Sequence, residues 1–201
     1  MAASQSPSKM GFKPGTLVTV ENALAMMMVK SANDMAVVLA EGVGGSVDGF
    51  STMMNQTAQR LGMKNTNFMN STGLPNPQHY STAQDLALLA IAIIRDFPEY
   101  HPLYAMKEYR YNNVTQANRN RLLWTDPTVD GMKTGYTENA GYCLIASARR
   151  GERRLLSVVL GAASEAARAA ESQKLLNYGF QNYDSVKLYE KSQTVTSLPV
   201  W

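Results

Sequence analysis

The chain has 201 residues, of which 45% are hydrophobic and 17% are charged, and its formal net charge is +3. This length and composition fit a soluble globular domain, alone or with the start of a second one. The net charge is too small to indicate nucleic acid or an anionic membrane as a partner, and no apolar run approaches the roughly 20 residues that span a bilayer.

Cysteine and histidine are too scarce to build a disulfide or a metal site. The single cysteine, Cys143, excludes an internal disulfide, and the apolar pattern around it predicts a small buried side chain. His79 and His101 belong to no cluster with metal-binding spacing. We therefore expect no metal.

The first half of the sequence is dominated by helical patterns. Four helices are predicted, at about residues 20–30, 35–41, 48–61 and 83–97. Thr19 is expected to cap the first, and Ser81 or Thr82 the fourth. Gly42 and the Gly44-Gly45 pair are expected to end the second. The fourth is so rich in Leu and Ile that we expect it to be buried nearly all round.

The second half of the sequence predicts a sheet followed by one helix. The predicted strands are Glu108–Val114, Gly141–Ala148 and Arg154–Leu160, with a solvated arginine turn at 149–152 and a strand-like tail from residue 183 to 201. Ser164 is expected to cap a last helix that Gly179 ends. Helices followed by a hairpin-bearing sheet indicate an α+β fold.

The Ser31-Ala32-Asn33-Asp34 segment places polar side chains between two apolar helices. Ser, Asn and Asp favour helix starts, so one interpretation is that Ser31 simply caps the second helix. If this joint is buried, however, its polar groups need partners or a ligand. Both interpretations stay open on the sequence pattern alone.

A second polar group stands at Lys133-Thr134-Gly135, just before the hairpin. In a strand, Lys133 and Gly135 share one face and Thr134 takes the other. Because glycine has no Cβ, a ligand can approach the strand backbone closely at Gly135. The segment therefore indicates either a strand edge that holds an anionic or carbonyl-bearing ligand or an ordinary polar strand end.

Together, Ser31-Ala32-Asn33 and Lys133-Thr134-Gly135 resemble the second and third motifs of the serine penicillin-recognising enzymes. Their separation is similar to that in the low-molecular-mass D-alanyl-D-alanine carboxypeptidases, serine peptidase family S11. The flanking sequence also looks like that family in four places: residues 17–41, 79–89, 129–137 and 170–180. The resemblance covers about residues 8 to 185.

The resemblance implies a β-lactamase/transpeptidase-like α+β fold, with helices packed on an antiparallel sheet. It also implies that a serine nucleophile attacks the carbonyl between two D-alanines and forms an acyl-enzyme. Ser31 would relay a proton to the leaving amine, and Asn33 would hydrogen-bond the substrate amide or the active-site lysine. Lys133 would supply positive charge close to the serines.

By the same resemblance, further residues would bind the substrate. Thr134 and Gly135 would hold its carboxylate end, and Tyr136 and Thr137 would line it and contribute to the oxyanion site. Arg168 would help to hold the terminal carboxylate, and Arg119 would line the cleft. Arginine suits both places, because a guanidinium group can pair with a carboxylate through two hydrogen bonds. For Arg168, an ordinary solvated position on a helix is the alternative.

One motif of the family is missing from its expected place. The nucleophile motif Ser-x-x-Lys lies farther upstream of Ser31 in the family than this sequence extends. Ser6-Pro7-Ser8-Lys9 matches the letters, but Gly11 and Pro14 would break the helix that brings serine and lysine together. We therefore expect residues 1–182 to form a transpeptidase-like domain without its nucleophile segment, inactive alone, and residues 183–201 to be a linker into a β-rich domain.

For the intact protein, the resemblance implies a periplasmic or extracytoplasmic place in a bacterium. It implies peptidoglycan stem peptides as substrates, β-lactams as inhibitors, no cofactor, no nucleic acid, and membrane association only through segments outside these residues.

A class A β-lactamase would need a Glu-x-x-Leu-Asn string between the two motifs, and the sequence has none. A non-catalytic module that binds peptidoglycan or a partner protein remains an alternative. Loss of a central helix predicts exposed apolar surface, and hence instability or self-association.

Overall fold

The computed structural model describes residues 2, 8–186, 188–189 and 192–198. Its fold is α+β, as predicted, with helices packed on an antiparallel sheet. The helices are α1 (Val20–Lys30), α2 (Asn33–Gly44), α3 (Val47–Arg60), α4 (Ala83–Asp96), α5 (Pro102–Ala105), α6 (Leu122–Thr125) and α7 (Glu165–Asn182). The strands are β1 (Glu108–Tyr111), β2 (Val114–Ala117), β3 (Val129–Thr137), β4 (Gly141–Arg150) and β5 (Arg153–Ala162).

The main sheet has the order β3-β4-β5, and both pairings are antiparallel. Alternate residues of β4 point to opposite faces, so Leu144, Ala146 and Ala148 share one face and are fully buried. That face packs against Leu176 and Phe180 of α7, and these residues form the main core. Within the described sheet, β3 is an edge strand, and its outer edge is where the polar motif lies.

Side-chain caps fix where the long helices begin. Thr19, Ser46, Thr82 and Ser164 each accept a hydrogen bond from the backbone N–H three residues ahead. Each cap satisfies an N–H group that has no partner inside its helix, which stabilises the helix start by about 1 kcal/mol. The predictions at Thr19, Thr82 and Ser164 are confirmed.

The predicted end of the second helix is confirmed at the Gly44-Gly45 pair: α2 runs to Gly44, and Gly45 caps it in a left-handed conformation with φ 72°. Gly42 lies inside α2 and does not end it. The predicted end of the last helix was wrong, because packing favours continuation past the glycine. Gly179 lies inside α7, which continues to Asn182. A Cβ at Gly179 would lie 2.8 Å from Leu155 Cδ1, so the glycine allows α7 to pack closely on β5.

The predicted strand at Glu108–Val114 is instead a hairpin. Asn112 and Asn113 adopt positive φ angles of 47° and 62° and turn the chain from β1 into β2. Asparagine tolerates this left-handed conformation better than most residues, and two-residue hairpin turns require it. The Asn-Asn pair was the signal for the turn.

Two predictions about side-chain exposure were also wrong. Helix α4 is not buried nearly all round: it buries Ala90 and Ala92, whereas Ile91 is 47% exposed. Arg150 is not a solvated turn residue, because it donates hydrogen bonds to Asp126 (3.3 Å) and Asn177 (2.7 Å) and stacks over the Phe180 ring. These contacts tie the β4–β5 hairpin to α7.

The strand-like tail is not a strand among its described residues, 183–186, 188–189 and 192–198. Apolar side chains such as Val186, Leu188 and Leu198 are largely exposed there. Ser6 and the remaining tail residues lie outside the described part of the chain. Among the described helices, none is both long and apolar enough to cross a bilayer.

Candidate active site

Ser31 lies at the sharp joint between α1 and α2. It ends α1 in a left-handed conformation (φ 59°, ψ 46°), and Ala32 takes the N-cap position of α2. The interpretation of Ser31 as an ordinary N-cap is therefore wrong. Its Oγ instead accepts a hydrogen bond from Lys133 Nζ, which brings the two polar motifs into direct contact.

Asp34 holds a loop against this joint. Its buried carboxylate accepts hydrogen bonds from the backbone N–H groups of Met10, Gly11 and Met35 at 2.9–3.1 Å. The N–H of Asn33 also donates to the Ser8 carbonyl oxygen at 2.7 Å. These bonds place Ser8 beside the joint and support its unusual backbone. The side chains of Ser31 and Asp34 at this joint therefore have partners, as burial requires.

Lys133 occupies the β3 side of the contact. Besides meeting Ser31, its Nζ donates to the Thr134 carbonyl oxygen at 2.8 Å. Burial first, and then the positive charges of Arg119 and Arg168, lowers the pKa of Lys133 to about 8. Near that pH, Lys133 exists in comparable amounts as an amine and as an ammonium ion. It can therefore either accept a proton or neutralise an anion.

Arg168 is a buried support. Its side chain is only 3% exposed, and its guanidinium donates to the carbonyl oxygens of Gly135 (3.2 Å) and Arg119 (3.4 Å). Glu165 Oε1 lies 3.7 Å away and balances part of its charge. The solvated alternative for Arg168 is therefore wrong. Arg119, which is exposed, donates to Ser8 Oγ at 3.1 Å.

The two motifs face each other across a cleft of about 590 Å³. All nine residues that the sequence singled out line it: Ser31, Asn33, Arg119, Lys133, Thr134, Gly135, Tyr136, Thr137 and Arg168. The outer edge of β3 forms one wall and the α1–α2 joint forms the opposite one. Apolar side chains, including Met27, Ile93 and Met132, line the rest.

Sequence reasoning missed several cleft residues. Ser8 is one, and another group is the 71–74 loop, which Asn70 organises by accepting hydrogen bonds from the N–H groups of Thr72 and Gly73. Cys143 is also in the cleft: it is only partly buried and pairs with Gly135 across the hairpin, so the buried-side-chain prediction was wrong. The position of Cys143 in the cleft could have been predicted from the hairpin, because Cys143 is the cross-strand partner of Gly135. No sequence pattern indicated that the loops would line the cleft.

The histidines lie apart from the cleft. His79 accepts a hydrogen bond from the Met69 N–H, and His101 lies 3.8 Å from Asp130. Across the described ranges, no group of three or more His, Cys, Asp or Glu side chains is placed to hold a metal ion. The polar groups of the cleft include hydroxyls, the Asn33 amide, a lysine with a lowered pKa, two arginines and Glu165. The cations are suited to carboxylate binding, and the lysine to proton transfer.

The site is thus a cleft beside a helix-flanked antiparallel sheet, in which a lysine of the edge strand contacts a serine at a helix joint. Comparison with family models identifies the particular class. The chain belongs to the D-alanyl-D-alanine carboxypeptidase family, whose model matches residues 1–164.

Individual relatives agree with this assignment. The D-alanyl-D-alanine carboxypeptidase DacC of Escherichia coli is 44% identical over 200 residues, which is 99% of this chain and 50% of that protein. Penicillin binding protein 5 of Haemophilus influenzae superposes with a TM-score of 0.91 at 43% identity, covering 94% of this chain and 56% of the other. The chain thus spans about half the length of the curated relatives it matches.

A more distant structure was solved with a bound drug. Penicillin-binding protein D2 of Listeria monocytogenes, in a cefotaxime-bound form, superposes with a TM-score of 0.76 at 31% identity. The match covers 84% of this chain and 73% of the Listeria chain.

Proposed function

We propose that this protein is a serine-type D-alanyl-D-alanine carboxypeptidase, which removes the terminal D-alanine of peptidoglycan pentapeptide stems through an acyl-enzyme. In this proposal, residues 1–201 supply the cleft that holds the D-Ala-D-Ala end. The observation that carries it is the contact between Ser31 and Lys133 at the open edge of β3. Family membership supports the same reaction.

The substrate carboxylate is held by positive charge in this proposal. Lys133 and Arg119 both line the cleft, and neither is paired with a carboxylate in any contact described above. Thr134 adds a hydroxyl, and Arg168 keeps Arg119 and Gly135 in position through their carbonyl oxygens. The extended peptide lies along the β3 edge from Gly135 to Thr137, as strand addition requires.

Ser31 and Asn33 act on the scissile amide. With Lys133 beside it, Ser31 can pass a proton toward the leaving amine, and Asn33 can hydrogen-bond the peptide from the opposite wall. The backbone N–H groups near Tyr136 and Thr137 provide donors for the developing oxyanion. None of these steps requires a metal or an organic cofactor.

The proposal extends to partners and location. We infer that β-lactams enter the same cleft, since a Listeria relative was solved with cefotaxime bound. Peptidoglycan as the substrate places the protein outside the cytoplasm of a bacterium.

We also propose the division into a transpeptidase-like domain at 1–182 and a linker at 183–201. The names of the relatives favour the enzyme over a non-catalytic binding module.

A binding experiment tests the cleft. A peptide ending in D-Ala-D-Ala should produce NMR shift changes at β3 and the α1–α2 joint. Lys133→Met and Arg119→Gln should each weaken binding about tenfold, because each removes one charge-assisted hydrogen bond. Arg95→Gln is the matched control, since it removes an exposed arginine that is paired with Asp96 and lies outside the cleft lining.

The cleft assignment would be overturned if Arg95→Gln weakened peptide binding as much as the cleft variants do, or if the peptide caused no NMR shift changes at β3. The carboxypeptidase proposal itself is tested by release of D-alanine from the same peptide by the whole protein, and absence of release would overturn it.

A further inference from the structure

We propose that one corner of the cleft favours substrates whose last residue carries a cationic side chain on a long apolar stem, as lysine does. We call this region the α7 corner, and it is formed by four residues that line the cleft: Tyr136, Tyr142, Glu165 and Arg168. The inference rests on the proposed function, because the terminal carboxylate of a stem peptide must be held beside the corner. It deepens that function by naming the side chain that the site prefers.

Glu165 supplies the negative charge of the α7 corner. It is the one carboxylate among the described residues that line the cleft, whose cations are Arg119, Lys133 and Arg168. Its side chain is 43% exposed, so it is accessible to a ligand. An acidic group in this place weakens the binding of a terminal carboxylate. Its presence therefore favours a ligand that also carries a positive charge.

The carboxylate of Glu165 is only loosely paired within the protein. Its Oε1 lies 3.7 Å from Arg168 and its Oε2 lies 3.5 Å from Arg121, which is itself exposed. Both distances exceed the about 2.7–2.9 Å of a strong charge-assisted hydrogen bond. Arg168 donates instead to the carbonyl oxygens of Gly135 and Arg119. Because a carboxylate can accept about four hydrogen bonds, Glu165 retains capacity for the ammonium group of a ligand.

Two tyrosines supply the apolar part of the corner. Tyr136 and Tyr142 are cross-strand partners in β3 and β4, and their ring centroids are 4.3 Å apart. The Arg168 guanidinium lies 5.5 Å from the centre of the Tyr142 ring, so this aromatic pair already accommodates one cation. Tyr136 is 54% exposed. Its ring can contact the hydrocarbon stem of a lysine side chain, and its face attracts an ammonium group.

Arg168 links the α7 corner to the place where the substrate ends. Its guanidinium binds the carbonyl oxygens of Gly135 and Arg119, and Glu165 lies beside the same guanidinium. In the proposed function, Arg119 is one of the cations that hold the terminal carboxylate. The last residue of the peptide is therefore the part of the substrate nearest to Glu165. A long side chain on that residue can reach the corner while its carboxylate stays with Arg119.

The experiment compares stem peptides that differ only in the last residue, which is D-Ala, D-norleucine or D-Lys. Binding of each peptide to this chain is measured by NMR titration, and release of the last residue by the whole protein gives kcat/KM. D-Norleucine has the apolar stem of D-Lys without its charge, so the ratio of their affinities isolates the charge. We expect D-Lys to bind about fivefold tighter than D-norleucine, as one partly exposed ion pair allows. High salt should reduce that ratio, because it screens exposed charges.

Variants assign this preference to Glu165. Glu165→Gln keeps the size of the side chain but removes its charge, so the preference for D-Lys should disappear. A role in folding alone would instead change the affinities of all the peptides by the same factor. The matched control is Glu171→Gln: Glu171 lies on the same helix, is 56% exposed, pairs with Lys174 at 3.8 Å and is outside the cleft lining. It should keep the full preference.

A further variant predicts a change in the opposite direction. Arg121→Gln removes a cation that competes for Glu165, so the preference for D-Lys over D-norleucine should rise about twofold. A preference that is lost in Glu165→Gln, kept in Glu171→Gln and raised in Arg121→Gln supports the inference.

Other results would contradict the inference in ways that can be told apart from failure of the proposed function. The inference is overturned if the D-Ala-D-Ala peptide binds but D-Lys has no advantage over D-norleucine. It is also overturned if the advantage of D-Lys survives Glu165→Gln. In both cases the proposed function stands. If none of the peptides binds at β3, the proposed function fails and the inference fails with it.

Discussion

The left-handed backbone of Ser31 lowers the stability of the fold by a measurable amount. The left-handed conformation costs a residue with a Cβ roughly 1–2 kcal/mol, whereas glycine adopts it freely and loses only part of this gain through its larger unfolded-state entropy. Ser31→Gly and Ser31→Ala both remove the hydroxyl that contacts Lys133. Ser31→Gly should therefore be more stable than Ser31→Ala by about 0.5–1 kcal/mol in urea unfolding. Equal stabilities would show that the joint is relaxed.

Lys133 makes stability depend on pH. Its pKa is lowered from 10.5 to about 8, so between these values the unfolded chain holds a proton that the folded chain has released. Stability therefore rises with pH in this window, by roughly 1.5 kcal/mol from about pH 8 to about pH 9.5, because the slope is half of 1.36 kcal/mol per unit at the folded-state pKa and approaches that value above it. The contribution becomes constant from about one pH unit below the folded-state pKa downward.

The variant Lys133→Met removes this proton, so its unfolding free energy should lack the rise. The difference between wild type and variant, measured by urea unfolding at several pH values, isolates Lys133 from other groups. The window ends below pH 10, because burial raises the pKa of Tyr104 and its ionisation would act in the opposite direction. Parallel curves for the two proteins would contradict the lowered pKa.

At the level of single residues, the sequence predicted which side chains meet but not how they are supported. Ser31 and Lys133 were paired through their motifs, and they do meet. The buried state of Arg168 was not predicted, because its partners are backbone carbonyl oxygens of Gly135 and Arg119, which no side-chain pattern reveals. The bonds of Asp34 to the 8–11 loop were missed for the same reason.

Gly42 and Gly44 of α2 differ in how much space surrounds them: Gly42 is open, whereas Gly44 lies against the backbone of α3. A Cβ at Gly42 would meet nothing within 4 Å, whereas a Cβ at Gly44 would lie 2.5 Å from the Phe50 backbone nitrogen. Gly42→Ala should stabilise the fold by about 0.5–1 kcal/mol through helix propensity, and Gly44→Ala should destabilise it by about 2–3 kcal/mol through overpacking. Thermal unfolding of the pair measures both. Similar effects at the two positions would contradict the close crossing.

Helix starts were easier to predict than helix ends. A start such as Thr82 depends on one local hydrogen bond to the Asp85 N–H, and the sequence shows both residues. An end depends on whether tertiary packing favours another turn. Gly179 looked like a stop, but α7 gains contact with β5 by continuing past it. The same competition explains the β1–β2 hairpin, where the turn preference of Asn112 and Asn113 outweighed the strand pattern.

On the scale of the whole molecule, the cleft draws its walls from distant parts of the chain. The α1–α2 joint, the 71–74 loop, β3 and α7 all line it. Arg168 of α7 binds the carbonyl oxygens of Gly135 in β3 and of Arg119 in the loop before α6, and so holds these parts together. Such a site exists only when the sheet and both helical layers are in place. The α+β fold class could be predicted from the order of the helix and strand patterns along the sequence. Which distant segments meet at the cleft could be predicted only from the family resemblance.

The same architecture leaves apolar surface and strand edges open, which favours self-association. Apolar side chains line much of the cleft, Phe97 is 53% exposed, and β5 has one strand partner among the described residues. A sheet edge with apolar side chains pairs readily with another copy of itself. In sedimentation velocity, we expect the chain to form larger species as its concentration rises.

Leu160→Lys should reduce that association, because it puts a charge on the exposed end of the β5 edge, where Leu160 is 42% exposed. Leu175→Lys is the matched control: Leu175 is 48% exposed on α7, away from any strand edge, and its replacement adds the same charge. If pairing through β5 drives association, only Leu160→Lys should shift the distribution toward monomer. Equal effects would indicate general charge repulsion, and a wild-type chain that stays monomeric and melts sharply would refute self-association altogether.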